Sequence, residues 1–508
     1  MKTIFTTIMA CCLALGAAAQ VERPKLVVGL AVDQMRWDYL YVYYDQYGEG
    51  GLKRLLSEGF SCENNMINYV PTVTAIGHSS LYTGSTPSLT GIAGNSFQIA
   101  GKYAYCCSDS TVEAVGSNGK AGKMSPRNMW ATTIGDELKL ATGFKSKVIG
   151  VALKDRASIL PAGHSADAAY WYDTEAGHFI TSTYYMTELP KWVQDFNKKN
   201  HTEPGFDIKT SNQGVSMTFK MAEAALENEQ LGKHEATDML CVSVSSTDAI
   251  GHTYGTRGKE NYEVYMQLDK DLAHFLSALD KQVGRGNYLL FLSADHGGAH
   301  NPNYLKQHRL PGGGWNGSDV HAALNEHLQQ KFSTQAKLVS DVMDFRFYLD
   351  HKAIEAAGLD LCQVKAEAVN FLKKDPQFCY VVDYEQAATS SVPQLIRERI
   401  VNGYNRLRSG DIVVVTKPDH INARVDDNYI GTQHSVWNPY DSHIPLVFMG
   451  WHVQHGQTST PTKIVDLAPT VCAMLHIQMP SACIGDAILP VVEQKQMPMP
   501  PMPGEPRR

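Results

Sequence analysis

The sequence predicts a doubly wound α/β fold: a mostly parallel sheet with a smaller α+β segment inserted late in the chain. Near-continuous apolar runs are typical of strands that are covered on both faces. Helical patterns alternate with these runs up to about residue 298, as a doubly wound domain requires. A polar residue able to bind metal or phosphate adjoins every run. The five predicted strands are 26–32, 148–153, 239–246, 288–294 and 444–449.

The polar residues next to these strands are the first indication of function. In open α/β sheets, ligands bind beyond the carboxyl ends of the strands. A single Asp at such a position is more often a turn residue or a helix cap. Several of them together with His residues instead predict an enzyme site. The residues are Asp33, Lys154, Arg156, Asp248, Asp295, His296 and His434.

The first twenty residues have the pattern of a signal peptide. Lys2 gives a short positive region, residues 4–19 are apolar, and small residues precede Gln20. The apolar run is short for a membrane span, so we expect cleavage near Gln20 and export to the periplasm. Lipidation at Cys11 is the alternative.

The remaining chain is long enough for one large core and a smaller insertion, with 508 residues and 43% hydrophobic content. We predict a catalytic core in two parts, 21–334 and 422–493, separated by an α+β insertion at 335–421. Residues 494–508 alternate Met and Pro and are expected to form a flexible tail. The predicted elements of the insertion are a strand at 337–349, a helix at 354–373, a strand at 379–384, a helix at 393–404 and a strand at 411–416.

Charge and cysteine content limit the possible partners. A net charge of −7 argues against a protein that coats nucleic acid, which needs a basic surface. No further apolar run predicts a membrane span, and we expect a monomer. The even cysteine count allows disulfides, for which Cys472 with Cys483 and Cys362 with Cys379 are the nearest pairs. Cys241 lies inside a predicted strand and is interpreted as a core thiol.

The segment 71–84 places hydroxyl groups before a run of small residues that can begin a helix. Free N–H groups and the helix dipole favour an anion there, so Thr74 is a candidate nucleophile. The alternative is that Thr72 or Thr74 only caps the helix. A threonine hydroxyl attacks at neutral pH only when a metal or a base stabilises its alkoxide.

Six side chains could provide such a metal site. Asp248 and His252 are four residues apart, Asp295 and His296 are adjacent, and Asp33 and His434 add one donor each. Oxygen and nitrogen donors suit zinc, and six of them divide into two three-ligand sites. Each histidine taken alone is more often structural, and we interpret five in that way: His78, His164, His300, His308 and His443.

Together these motifs resemble the alkaline phosphatase superfamily. Within it the chain is most similar to phosphate-irrepressible periplasmic alkaline phosphatases, which are relatives of the nucleotide pyrophosphatase/phosphodiesterases. The resemblance extends from about residue 26 to 489. It is carried by Val32-Asp33-Gln34-Met35-Arg36, the Thr74 segment through Gly94-Asn95, Leu153-Lys154-Asp155-Arg156, Ser246-Thr247-Asp248 with Gly251-His252, Ala294-Asp295-His296-Gly297 and Gly431-Thr432-Gln433-His434.

The resemblance implies an alkaline phosphatase-like fold and a role for each site residue. One zinc ion would be held by Asp248, His252 and His434, and the other by Asp33, Asp295 and His296 with Thr74 approaching it. Asn95, Lys154 and Arg156 would contact phosphoryl oxygens. The insertion and residues 159–190 would border the cleft as cap elements.

The implied reaction is hydrolysis of phosphate monoesters through a phosphothreonine at Thr74. Two alternatives remain: a type I phosphodiesterase with the same metal ligands, and a non-catalytic protein that binds metal or phosphate. Lys154 and Arg156 favour the dianionic monoester. A sulfatase is disfavoured, because the Cys/Ser-x-Pro-x-Arg motif of that branch is absent from the sequence.

Overall fold

The computed structural model describes residues 21–493, so the predicted signal peptide and tail lie outside the described residues. Its centre is a ten-stranded sheet. The strands are β1 Leu26–Val32, β2 Phe60–Cys62, β3 Ala114–Val115, β4 Val148–Ala152, β5 Ala168–Asp173, β6 His178–Ser182, β7 Asp238–Val244, β8 Tyr288–Ser293, β9 Leu446–Gly450 and β10 Gly456–Thr458. Their order in the sheet is β10-β2-β9-β8-β1-β7-β4-β5-β6-β3.

The middle of this sheet is parallel, and one predicted strand runs in the opposite direction. The strands β8, β1, β7, β4 and β5 are parallel neighbours. The fifth predicted strand corresponds to β9, and the expectation that it is parallel was wrong because β9 pairs with β8 antiparallel. An apolar run indicates that a strand is buried on both faces, and β9 is buried like its neighbours. Such a run carries no information about strand direction.

Helices cover the sheet, and the longest of them does so with a continuous apolar stripe. In the helix Lys259–Gln282 the buried Val264, Leu268, Leu272 and Phe275 recur every three or four residues. The α-helices outside residues 335–421 are Tyr39–Val42, Leu52–Glu58, Thr74–Thr83, Pro87–Thr90, Ile134–Ala141, Asp155–Ala162, Lys191–Lys199, Asn212–Asn228, Ser246–Tyr254, Lys259–Gln282, Pro302–Gln307, Gly317–Phe332, Pro439–Ser442, Leu467–Leu475 and Leu489–Val492. Of these, Gly317–Phe332 packs on the insertion through Leu324 and Leu328.

Residues 159–190, which the resemblance placed in a cap, extend the central sheet. They contain the end of the helix Asp155–Ala162 and the strands β5 and β6. Since β5 pairs with β4, this segment shares its hydrogen bonding with the core.

The insertion has its own four-stranded sheet, in which every neighbouring pair is antiparallel. The predicted strand 337–349 is in fact a hairpin, because Asp344 and Phe345 have φ values of 47° and 68° and form a tight turn. The predicted helix 354–373 is two helices, separated at Gly358 with φ 66°. The elements are Val339–Met343, Arg346–Leu349, His351–Ala356, Leu361–Leu372, Phe378–Asp383, Gln394–Gly403 and Ile412–Thr416.

The eight cysteines between residues 21 and 493 are all thiols. The suggested pairs Cys472 with Cys483 and Cys362 with Cys379 are therefore not disulfides in this structure. Nearness in sequence says little about how close two sulfur atoms lie in space. Cys241 is a buried thiol in β7, as expected.

No helix in the range 21–493 is both long enough and apolar enough to cross a membrane.

Candidate metal and phosphate site

The six candidate metal ligands lie together at one edge of the sheet. Asp33 follows β1, Asp295 and His296 follow β8, and Asp248 lies in the helix that begins after β7. Because these three strands are parallel neighbours, their carboxyl ends meet at this edge. Five of the six side chains are buried, and only His252 is partly exposed.

The donor atoms form two overlapping groups. Those of Asp33, Asp295 and His296 lie within 4.8 Å of one another, and so do those of Asp248, His296 and His434. The first group is the one expected for one metal ion. In the second, His296 takes the place expected for His252, whose Nε2 lies 3.1 Å from Asp248 Oδ1. The structure thus brings all six ligands into one cluster, and their division between two ions stays a prediction.

The three histidines share an arrangement that suits metal binding. Their Nδ1 atoms donate to backbone carbonyls: His252 to Thr432 at 3.0 Å, His296 to Gly297 at 2.9 Å and His434 to Thr72 at 2.6 Å. A carbonyl oxygen only accepts, so Nδ1 carries the proton in each ring. The Nε2 atom of each neutral ring therefore keeps its lone pair for a cation.

Two buried atoms of the cluster also need a positive partner. Asp33 Oδ1 and His296 Nε2 lie 3.5 Å apart, and both are buried without a hydrogen bond. Burial, followed by the charges of Asp248 and Asp295, raises the pKa of Asp33 well above its usual range. A divalent cation would satisfy both atoms and favour the ionised carboxylate. The residues present therefore fit a metal site.

The Lys154 amino group lies between the two donor groups. Its Nζ is 2.6 Å from Asp33 Oδ2 and 2.5 Å from Asp248 Oδ2. Although burial opposes ionisation of Asp248, His252 and Lys154 hold the pKa of that carboxyl well below its usual range. A cation is thus favoured at the point where the carboxylates of the two groups converge.

Thr74 is the first residue of the helix Thr74–Thr83 and is 1% exposed. The capping alternative is not seen, since the N-cap residue is Val73 and has no side-chain capping bond. Thr72 Oγ1 instead donates to Val436 O at 3.0 Å. A Cβ at Gly77 would lie 2.3 Å from Asp295 O, so the helix packs directly on a candidate metal ligand.

Asn95 directly precedes the strand Ser96–Ile99, and Arg156 lies in the first turn of the helix Asp155–Ala162. Asn95 Oδ1 accepts from the N–H of Ala75 at 2.9 Å, and this bond leaves the amide hydrogens of Asn95 for another acceptor. Arg156 Nη1 donates to Tyr105 OH at 3.1 Å, and Tyr105 in turn donates to Asp155. Arg156 Nε is buried without a hydrogen bond, as a site for an anion requires.

Three residues of this neighbourhood were missed in the sequence. Gln34 bonds to two candidate ligands, Tyr105 orients Arg156, and His78 Nδ1 lies 2.9 Å from Thr74 O and 3.2 Å from Asp295 Oδ2. From the sequence alone, His78 is an ordinary structural residue. Its spacing of four from Thr74, which puts both on one face of a helix, could have indicated its place.

Comparison with known proteins gives a family and close relatives. Residues 27–435 match the family described as type I phosphodiesterase / nucleotide pyrophosphatase. The chain is 45% identical to alkaline phosphatase PafA of Elizabethkingia meningoseptica, over 93% of this chain and 95% of that protein. It is 46% identical to a Myroides odoratus protein named calcium-transporting ATPase, over 97% of this chain and 100% of that protein.

The fold agrees with solved structures of PafA. The wild-type crystal structure superposes with a TM-score of 0.90 at 45% identity, covering 93% of this chain and 100% of that one. A second structure is of a PafA variant in which four residues are replaced: a threonine, an asparagine, a lysine, and an arginine two positions after that lysine. It superposes with a TM-score of 0.88 at 44% identity, with the same coverage. The chain belongs to the type I phosphodiesterase/nucleotide pyrophosphatase family and is an enzyme, a phosphoesterase of the alkaline phosphatase superfamily.

Proposed function

We propose that the enzyme is a zinc-dependent alkaline phosphatase that hydrolyses phosphate monoesters through a phosphothreonine at Thr74. The observation that carries this proposal is the position of Thr74, at the start of a buried helix that packs on Asp295 within the six-ligand cluster. The PafA variant supports it, since the four residue types replaced there are those of Thr74, Asn95, Lys154 and Arg156.

The six ligands would hold two zinc ions. Asp33, Asp295 and His296 would bind one, and Asp248, His252 and His434 the other. When bound, the ions would supply positive charge that favours the Thr74 alkoxide and stabilises the departing oxygen.

The protein residues then position the phosphoryl group. Thr74 Oγ1 attacks phosphorus and the ester oxygen leaves, so that the phosphate is carried on Thr74 until water hydrolyses it. The amide hydrogens of Asn95 and the cations of Lys154 and Arg156 would meet the unesterified oxygens. We further propose that the enzyme is exported to the periplasm and acts as a monomer.

The choice between monoester and diester rests on charge. A monoester presents three unesterified oxygens and about two negative charges, whereas a diester presents two such oxygens and one charge. Lys154 and Arg156 place two cations at the start of one helix, which matches the monoester better. A phosphodiesterase is the second candidate, because the family as a whole is described by that activity.

The test compares hydrolysis of an aryl phosphate monoester and its methyl diester by the zinc-loaded enzyme. We expect the monoester to be preferred by orders of magnitude, chelation to abolish hydrolysis, and added zinc to restore it. A preference for the diester would replace the phosphatase assignment with the phosphodiesterase one. Full activity in protein that elemental analysis shows to be free of metal would end the two-metal proposal.

The nucleophile is tested separately with variants of Thr74. Thr74→Ala should keep its zinc and lose several kcal/mol of transition-state stabilisation, while Thr74→Ser should keep measurable activity. Acid-quenched wild-type enzyme should carry labelled phosphate on Thr74. Label recovered on a different residue would show that Thr74 has been misassigned.

A further inference from the structure

We infer that Gln34 is a positioning residue that joins the two donor groups and sets how tightly they hold metal. The inference rests on the proposed zinc site. Gln34 is 3% exposed and directly follows Asp33 at the end of β1. Its φ of 61° lies in the left-handed region, which a non-glycine residue adopts at a cost of about 1 kcal/mol or more. This conformation directs its backbone and side chain to different ligands.

Gln34 donates one hydrogen bond to each donor group. Its backbone N–H bonds to Asp295 Oδ1 at 3.1 Å, and its side-chain Nε2 bonds to Asp248 Oδ1 at 2.6 Å. Asp295 and Asp248 follow different strands and belong to different groups. With Asp33 as its chain neighbour, Gln34 touches or adjoins three candidate ligands.

Two glycines leave room for the side-chain amide of Gln34. A Cβ at Gly251 would lie 2.0 Å from Gln34 Oε1, and a Cβ at Gly298 would lie 3.1 Å from the same side chain. The amide therefore occupies space that any other residue at these positions would fill. With Oε1 beside Gly251, the Nε2 donor faces the Asp248 carboxylate; the reverse orientation would set two acceptors against each other.

A neutral donor suits this position better than a charged one. The amide of Gln34 fixes the rotation of Asp248 while leaving its negative charge for a cation. Such outer partners of metal ligands change metal affinity by about 10- to 100-fold when they are removed. Lys154, in contrast, brings a positive charge to Asp248.

The test measures zinc affinity by competition with a chromophoric chelator. Gln34→Met keeps the side-chain length but removes the donor, and we expect one of two bound zinc ions to be held about 10- to 100-fold more weakly. Gln34→Gly suits the left-handed backbone and also lacks the donor, so it should show the same loss even if the Met variant folds poorly. Activity of both variants should recover as zinc is raised, which a general loss of structure would not allow.

Gln267→Met is the matched control. Gln267 Nε2 also bonds to an aspartate, Asp271, at 2.9 Å, but lies in the helix Lys259–Gln282. The zinc affinity of the Gln267→Met variant should equal that of wild type. Wild-type affinity in Gln34→Gly would overturn the inference and leave the proposed function standing. Failure of the wild-type enzyme to bind zinc would instead overturn the proposed function.

Discussion

Lys154 and Arg156 are two residues apart, and both are positively charged. Lys154 pairs with Asp33 and Asp248, and Arg156 donates to Tyr105. Replacing both with Ala should lower kcat/KM for an aryl monoester by an amount equivalent to a few kcal/mol, and for the methyl diester by much less. The reason is that the monoester carries the additional charge. Steady-state kinetics on the two substrates measure this difference.

Arg424→Ala provides the control, since Arg424 is exposed and pairs with Asp319 away from the site. It should leave both rates unchanged. An equal loss of monoester and diester activity in the double variant would mean that Lys154 and Arg156 are structural.

His300 should make stability depend on pH. Burial, with the charges of Arg36 and Arg257, lowers its pKa to about 4. The unfolded chain, with a His pKa of about 6.5, binds the proton first as pH falls. The contribution of neutral His300 is therefore complete above about pH 6.5 and is lost between about pH 6.5 and 4. Allowing for partial exposure, we expect a loss of about 1–2 kcal/mol.

Thermal unfolding of wild type and His300→Asn across this pH range checks the prediction. The variant should lose less stability than wild type on acidification. An identical pH dependence in the two proteins would contradict a lowered pKa at His300.

The candidate metal ligands could be predicted from the sequence, whereas the residues whose role depends on contacts with them could not. Asp33, Asp248 and Asp295 follow apolar runs, and the structure places them in two donor groups that share His296. Gln34 and Tyr105 carry no such signal. Their partners come from distant parts of the chain, so only the folded structure reveals them.

At the scale of elements, the helix Thr74–Thr83 depends on one glycine. A Cβ at Gly77 would lie within 2.6 Å of three atoms of Asp295, two of them in its backbone. Gly77→Ala would gain about 1 kcal/mol from helix propensity. We expect the clash to outweigh this gain and to give a net loss of about 1–3 kcal/mol.

Denaturant unfolding and zinc content measure the effect, and activity should fall because Thr74 and Asp295 move apart. Gly48→Ala is the control, since a Cβ there would meet only Asp269 Oδ2 at 3.4 Å. A Gly77→Ala protein as stable and active as wild type would mean that the helix can shift without consequence.

Strand positions were predicted better than strand directions or turns. The five apolar runs all became strands because burial on both faces leaves a clear pattern. The antiparallel direction of β9 was not predicted. Nor was the turn at Asp344 and Phe345, since neither residue is the glycine or asparagine that usually marks such a turn.

At the scale of the whole molecule, the insertion is fixed to the loop that carries Asn95. Arg346, on the strand Arg346–Leu349, is 0% exposed and donates to the carbonyl of Ala93. It also pairs with Asp344, with Nη2 3.1 Å from Oδ2. Arg346→Met would break the pair with Asp344, whose side chain is 25% exposed, and would leave the carbonyl of Ala93 without its donor, so it should cost about 1–3 kcal/mol.

Urea unfolding and kcat/KM test this prediction together. Activity should decline because Ala93 and Asn95 lose their support from the insertion. Adding Asp344→Asn should recover part of the lost stability, since it removes the unpaired charge. If Arg346→Met changes neither stability nor rate, other contacts hold the insertion in place. They include the hydrogen bonds of Gln98 to Ser340 and Asp341 and the apolar cluster that contains Val70, Ile396, Ile400 and Val413.

The wide separation of the ligands along the chain has a consequence for folding rates. Asp33 lies near the start of the described chain and His434 in its last part, and the other candidate ligands lie between them in the sequence. No short stretch can assemble the cluster, so it closes only after most of the central sheet has formed. An ion bound there would stabilise the native state without helping the folding nucleus. It would therefore slow unfolding while leaving the rate of folding unchanged, so we expect metal loading to govern how long the folded enzyme survives.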